Sequence, residues 1–171
     1  MNKEIYLAGG CFWGTQHFLK QINGVVSTKV GYANGSLPNP TYQEVYTDKT
    51  GHVETVKVCY NPNVVGLEMI LDLYFKTIDP TIEDQQGADI GTRYRTGIYY
   101  TDAEDLGVIE DVCKRISLQY IRPLVVEVER LECFYLAEEY HQDYLEKNPG
   151  GYCHIPRSMF TFARSVNRDD D

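Results

Sequence analysis

The chain has 171 residues, 43% apolar and 24% charged, which suits one domain (1–171) with one sizeable core. A formal net charge of −9 opposes nucleic acid and anionic membranes as partners. No stretch reads as a signal peptide or a membrane span, and five cysteines without CxxC or zinc-type spacing fit free thiols in the cytoplasm.

Residues 3–9 (KEIYLAG) alternate as a strand, and 13–21 carry Trp13, Phe18, Leu19 and then Ile22 at helical spacing. Gly24 stops that helix and VVSTKVGYA (25–33) starts a second strand. Gly35, Pro38 and Pro40 make 34–51 a long loop, and VETVKVCY (53–60) is the third strand. GLEMILDLYFKTI is a helix stopped by Asp79-Pro80, and 81–95 is an aperiodic loop of the length that usually carries function. TGIYY is a strand, DAEDLGVIEDVCKRISLQY a helix, PLVVEVERL a strand and AEEYHQDYLEK a last helix. A polar tail over about 163–171 is expected to fray. The order β-α-β-β-α-β with additions predicts an α+β, ferredoxin-like split β-α-β two-layer sandwich with extra helices and long loops.

AGGCFWG (8–14) puts Cys11 where the first strand turns into the first helix. Free amides and the partial positive charge of a helix N-terminus stabilise a thiolate, so a lowered thiol pKa is expected there. The alternative is an inert, buried cysteine. Phe12 and Trp13 read either as core or as the lining of a small apolar pocket beside the thiol.

GCFWG at 10–14 resembles the peptide methionine sulfoxide reductase A family. So do GYANGSLPNPTYQEV (31–45), TGHVETVKVCYNP (50–62), DQQGADIGTRYRTGIY (84–99) and EEYHQDYLEKNPGGYCHIP (138–156), in family order. The resemblance spans roughly 5 to 156 and implies reduction of the S epimer of methionine sulfoxide, free or in proteins, as repair of oxidative damage.

The same resemblance implies roles. Cys11 is the nucleophile and Glu54 the acid that protonates the sulfoxide oxygen, which needs a carboxyl pKa raised by an apolar site. Taken alone, Glu54 reads as a solvated strand residue. Tyr42 and Tyr94 match hydrogen-bond donors to that oxygen, Asp89 a substrate-backbone contact, and Phe12 with Trp13 the pocket for the S-methyl group. Cys153 matches the resolving thiol, carried on a segment that Pro149, Gly150 and Gly151 leave free to swing. Thioredoxin would then reduce the Cys11–Cys153 disulfide, with dithiothreitol as its substitute in vitro and no bound cofactor or metal. A monomer is expected.

Cys59, Cys113 and Cys133 read as structural, and His52 and His141 as hydrogen-bonding scaffold. His17 and His154 carry no signal of their own. Gln16 stands where many members have glutamate, which removes a charge opposing a thiolate at Cys11, and no further cysteine follows Cys153. Two other readings share part of the pattern. A thiol peroxidase would use Cys11 without Glu54, Tyr42 and Tyr94, and a binding module for oxidised methionine would use Phe12 and Trp13 without Cys153.

Overall fold

A computed structural model describes residues 1–167. Its elements in chain order are β1 (Lys3–Gly9), α1 (Phe12–Leu19), β2 (Val25–Ala33), α2 (Tyr42–Tyr46), β3 (Val53–Tyr60), α3 (Leu67–Phe75), β4 (Gln85–Gln86), β5 (Asp89–Ile90), β6 (Thr96–Tyr100), α4 (Asp105–Ser117), β7 (Glu127–Arg130), β8 (Phe134–Leu136), α5 (Tyr144–Lys147) and α6 (Arg157–Ser165). Short 3-10 turns cover Thr92–Tyr94 and Glu139–His141.

Six strands form one sheet in the order β7-β6-β1-β3-β2-β8, antiparallel except for β6 against β7. The inner four, β6-β1-β3-β2, with α1 and α3 as the connecting helices, are the expected split β-α-β arrangement. The parallel β6-α4-β7 unit and β8 extend it at either edge.

Strand alternation sorts the side chains. Ile5 and Leu7 of β1, Val30 and Tyr32 of β2, Val56 and Val58 of β3, and Ile98 of β6 face the main core. Phe18 and Leu19 of α1, Ile70 and Leu71 of α3, and Ile109 and Val112 of α4 cover that face. Tyr6, Ala8, Ala33, Val53 and Tyr99 point the other way, where Leu131 and Phe134 pack on them. Each fully buried aliphatic or aromatic side chain is worth about 1.5–3 kcal/mol, so the helix-covered face dominates stability. Among the described residues no helix is long and apolar enough to cross a membrane.

The structure departs from the expected elements at several points, including β8, the β4–β5 hairpin and α6, which fall where no element is expected from the sequence. The loop 34–51 contains α2, whose N-cap Thr41 and Glu44 form a reciprocal capping box. The strand expected over 123–131 is ordered as a strand only at Glu127–Arg130. The helix expected over 137–147 is broken. Gln142 turns its amide into β2, bonding Val30 N and O and Ala137 O, and Asp143 takes a left-handed φ of 52°. In the part of the expected tail that is described, α6 continues to Ser165, Ala163 is buried, and Asn167 bonds Asn23 and Val64. The rest of the expected tail, 168–171, lies outside the described residues.

Candidate active site

At the end of β1 the chain reverses through Gly10, whose φ of +86° and close approach to Gln86 (2.8 Å from an added Cβ) leave no room for a side chain. Cys11 follows as the N-cap of α1 and is 6% exposed. Its side chain makes no capping hydrogen bond, although the Trp13 amide nearby favours the thiolate, as expected of a helix N-terminus. That contribution loses. Burial first, and the neighbouring Glu54 charge second, push the thiol well above its ordinary value. The expectation of a lowered pKa is therefore overturned for the resting protein, because burial outweighs the local amide.

Glu54 lies on β3 with the same parity as Val56 and Val58, so alternation aims it at the helix-covered face, where it is 2% exposed. Tyr32 is its direct partner on β2. One carboxyl oxygen, Oε1, accepts the Phe12 amide at 3.1 Å. Burial raises this carboxyl to about 8, against the lowering effects of the Phe12 amide and the Arg93 charge. At neutral pH the resting pair is thus a thiol beside a neutral carboxylic acid, and the repulsion that Glu54 would exert on Cys11 is largely absent.

A cavity of about 290 Å³ joins Cys11, Phe12, Trp13, Tyr42, Glu54, Asp89 and Tyr94 with two residues the sequence reading passed over, Tyr46 and Tyr152. Tyr42 begins α2, and its amide donates to Glu138 Oε2 at 3.0 Å, while Tyr32 donates to the other oxygen at 2.9 Å. Glu138 so pins α2 against β2. Burial lifts the Tyr42 phenol to about 12 and Tyr94 higher still, so both remain neutral donors. The Arg93 guanidinium lies over the rings of Tyr46 (4.1 Å) and Tyr94 (4.3 Å) and pairs with Asp48 at 2.6 Å, which fixes the turn carrying Tyr94.

Trp13 is held on two sides. Its indole stacks on Tyr144 at 3.7 Å, and its Nε1 donates to His141 Nδ1 at 3.0 Å. Phe12 is buried between Tyr32 and His141. Scaffold roles hold for both expected histidines: His52 accepts the Gly35 amide at 3.1 Å and reaches Leu37 O at 2.7 Å. Gln16 is buried, donating to Thr28 and accepting the Asp143 amide at 2.9 Å, so a neutral amide ties α1 to β2 and α5.

Cys153 does not line the cavity. Its sulfur sits behind it, 2.8 Å from where a Cβ on Gly14 would be, one helical turn from Cys11. Both cysteines are free thiols, as are Cys59, Cys113 and Cys133. Asp89 accepts the Tyr152 hydroxyl at 3.0 Å, so the residue expected to hold substrate is joined to the segment that carries Cys153.

A buried thiol facing a neutral acid and two phenols, with a second thiol one turn away, is the arrangement of a thiol-dependent oxidoreductase. Comparison with known proteins makes this specific. The family model for peptide methionine sulfoxide reductase matches residues 3–170. A peptide methionine sulfoxide reductase MsrA of Lachnoclostridium phytofermentans is 52% identical over 166 residues, 97% of this chain and 100% of the relative. Reduced Mxr1 from Saccharomyces cerevisiae superposes with a TM-score of 0.86 at 37% identity, over 91% of both chains. Mxr1 in complex with Trx2 matches with a TM-score of 0.60 at 27% identity, over 84% of both chains. The chain belongs to the peptide methionine sulfoxide reductase family, whose enzymes reduce methionine sulfoxide to methionine.

Proposed function

We propose that the protein reduces the S epimer of methionine sulfoxide, free or within proteins, using Cys11 as nucleophile and Glu54 as acid. The observation that carries this reading is the convergence of Cys11, Glu54, Tyr42, Tyr94, Phe12 and Trp13 on one cavity of about 290 Å³. The S-methyl group packs on Phe12 and Trp13, Asp89 meets the substrate backbone, and the sulfoxide oxygen faces Glu54, Tyr42 and Tyr94. A sulfoxide sulfur is a stereocentre. Fixing its methyl, its oxygen and the attack direction from Cys11 admits one hand.

Cys11 sulfur attacks the substrate sulfur as Glu54 gives its proton to the oxygen. The thiol proton returns to the Glu54 carboxylate, so the acid is restored within the turnover. The oxygen moves to the Cys11 sulfur as the substrate S–O bond and the transient S–S bond break, so methionine leaves and Cys11 is left as a sulfenic acid. The phenols of Tyr42 and Tyr94 are preorganised neutral donors for the charge that develops on oxygen.

The Cys153 thiol then attacks the Cys11 sulfur. The S–S bond forms, the S–OH bond breaks, and the hydroxyl leaves as water with the Cys153 proton. Thiols supply both electrons, so no prosthetic group is required. A thioredoxin closes the cycle by dithiol exchange, a step supported by the Trx2 complex of the yeast relative. Five free thiols suit a reducing compartment, and we assign the cytoplasm.

Incubation with each sulfoxide epimer and dithiothreitol tests the reading. Methionine is expected from the S epimer. Equal rates on both hands, or faster turnover of peroxide than of sulfoxide, would overturn it.

A further inference from the structure

The segment carrying Cys153 connects α5 to α6 without regular structure of its own. A thiol on such a segment needs an anchor if it is to meet Cys11 promptly. His154 supplies one. Its Nε2 lies 2.9 Å from Gly9 O. A carbonyl only accepts, so Nε2 carries the proton and Nδ1 is left as the lone-pair nitrogen.

The ring enters a space shaped for it. A Cβ on Gly10 would stand 3.2 Å from His154 Nε2, and one on Gly14 would stand 3.4 Å from Nδ1 and 2.8 Å from Cys153 Sγ. The glycines flanking Cys11 therefore seat the imidazole and the second thiol together. Nδ1 is buried with no protein hydrogen-bond partner, which carries a desolvation cost. An apolar ring would avoid that cost if packing were the sole requirement, so the imidazole is explained by its Nε2 donor. Desolvation lowers the pKa of His154, which keeps it neutral with one proton to give.

The other anchor is Tyr152, whose hydroxyl bonds Asp89. Because Asp89 lines the substrate cavity, an occupied pocket competes for that bond, whereas the His154 bond lies outside the cavity lining.

We propose that His154 is a positioning residue for the second half of the cycle: its bond to Gly9 O seats Cys153 against α1 so that the thiol reaches the Cys11 sulfenic acid by a local swing. This rests on the reading of Cys153 as the resolving thiol. The step is Cys153 S–H plus Cys11 S–OH giving S–S and water, and His154 exchanges no proton or electron in it.

The test uses the full chain in single turnover without reductant, following methionine release and, by quenched mass spectrometry, the Cys11–Cys153 disulfide. His154→Ala is expected to release one equivalent of methionine at the parent rate and to form the disulfide at least about tenfold more slowly, with sulfenic acid accumulating. His154→Gln, whose amide NH2 can reach Gly9 O, is expected to recover most of the disulfide rate. A parent-like disulfide rate in His154→Ala, or no recovery in His154→Gln, would overturn the proposal. Loss of the methionine burst in both variants would overturn it too, by placing His154 in the pocket scaffold. If the parent itself formed no Cys11–Cys153 disulfide, the reading of Cys153 would fail first and the proposal with it.

Discussion

The amide of Phe12, the residue after Cys11, donates to Glu54 Oε1 at 3.1 Å. The proposed nucleophile and acid are thereby tied through one peptide unit, and the second carboxyl oxygen is left to carry the proton. Glu54→Gln cannot deliver that proton. Sulfenic acid formation should slow by about 10²–10⁴-fold with the fold retained, and a loss under about tenfold would place the acid elsewhere. In the parent the same rate should fall as pH rises through about 8, where Glu54 ionises. Stopped-flow methionine release across pH 6–10 (about four units, enough to bracket one titration) checks both.

The buried acid also costs stability in a defined window. Unfolded, Glu54 ionises near 4.5; folded, it keeps its proton to about 8. Between those values the native state binds more protons than the unfolded state, so this group's contribution falls as pH rises, by up to about 1.4 kcal/mol per unit. Buried histidines slope the opposite way below their own unfolded value, since His17, His141 and His154 are all lowered. The parent-minus-variant difference isolates Glu54: Glu54→Gln should gain on the parent from pH 5 to 8, over about three units. Urea melts that ran parallel would contradict the buried neutral acid.

Burial sets the upper edge of that window, and Arg93 trims it. Its charge lowers Glu54, whereas Asp48 raises it. Arg93→Met removes the cation and leaves Asp48 unpaired, so the alkaline limb of the rate profile should move to higher pH. A merely structural loss would reduce the rate without moving the limb.

Cys153→Ser should separate the half-reactions. One equivalent of methionine should still appear, because Cys11, Glu54, Tyr42 and Tyr94 are untouched. Thioredoxin-supported turnover should collapse, with Cys11 found as sulfenic acid by mass spectrometry. A disulfide from Cys11 to Cys59, Cys113 or Cys133 in the parent would reassign the second thiol.

Gly14→Ala offers a mirror-image test. Alanine in a helix interior is favoured over glycine by roughly 1 kcal/mol, yet its Cβ would fall 2.8 Å from Cys153 Sγ. The variant should keep its methionine burst and form the disulfide slowly. Unchanged disulfide kinetics would mean that Cys153 does not work from its seat on α1.

The inner strands were legible because Ile5, Leu7, Val56 and Val58 alternate plainly with outward residues. α2 was hidden although its signal, Thr41 followed by Glu44, was present, since prolines and glycines dominated the stretch before it. The break at Asp143 was not readable, because it comes from Gln142 reaching β2 more than a hundred residues away. α6 hid in a polar segment that buries chiefly Phe160 and Ala163, three apart on one face. In the site, Cys11 is marked by its glycines and turn-to-helix position, whereas Glu54, Tyr42 and Tyr94 are marked only by the family resemblance. The tyrosines at 46, 144 and 152 and His154 owe their places to packing between distant segments, and among 14 tyrosines no spacing marks three. The thiol was misjudged for the same reason: a helix N-terminus is visible in sequence, and burial is not.

The sheet ends in β7, where Glu127, Glu129 and Arg130 are three of four residues, and in β8, only three residues long. Open strand edges are templates for recruiting other chains, and shortness and charge are what blunt them. Glu127 is further committed inward, to Arg95 at 2.6 Å and Tyr99 at 2.7 Å. The protein's own sheet edges are therefore poor seeds for aggregation.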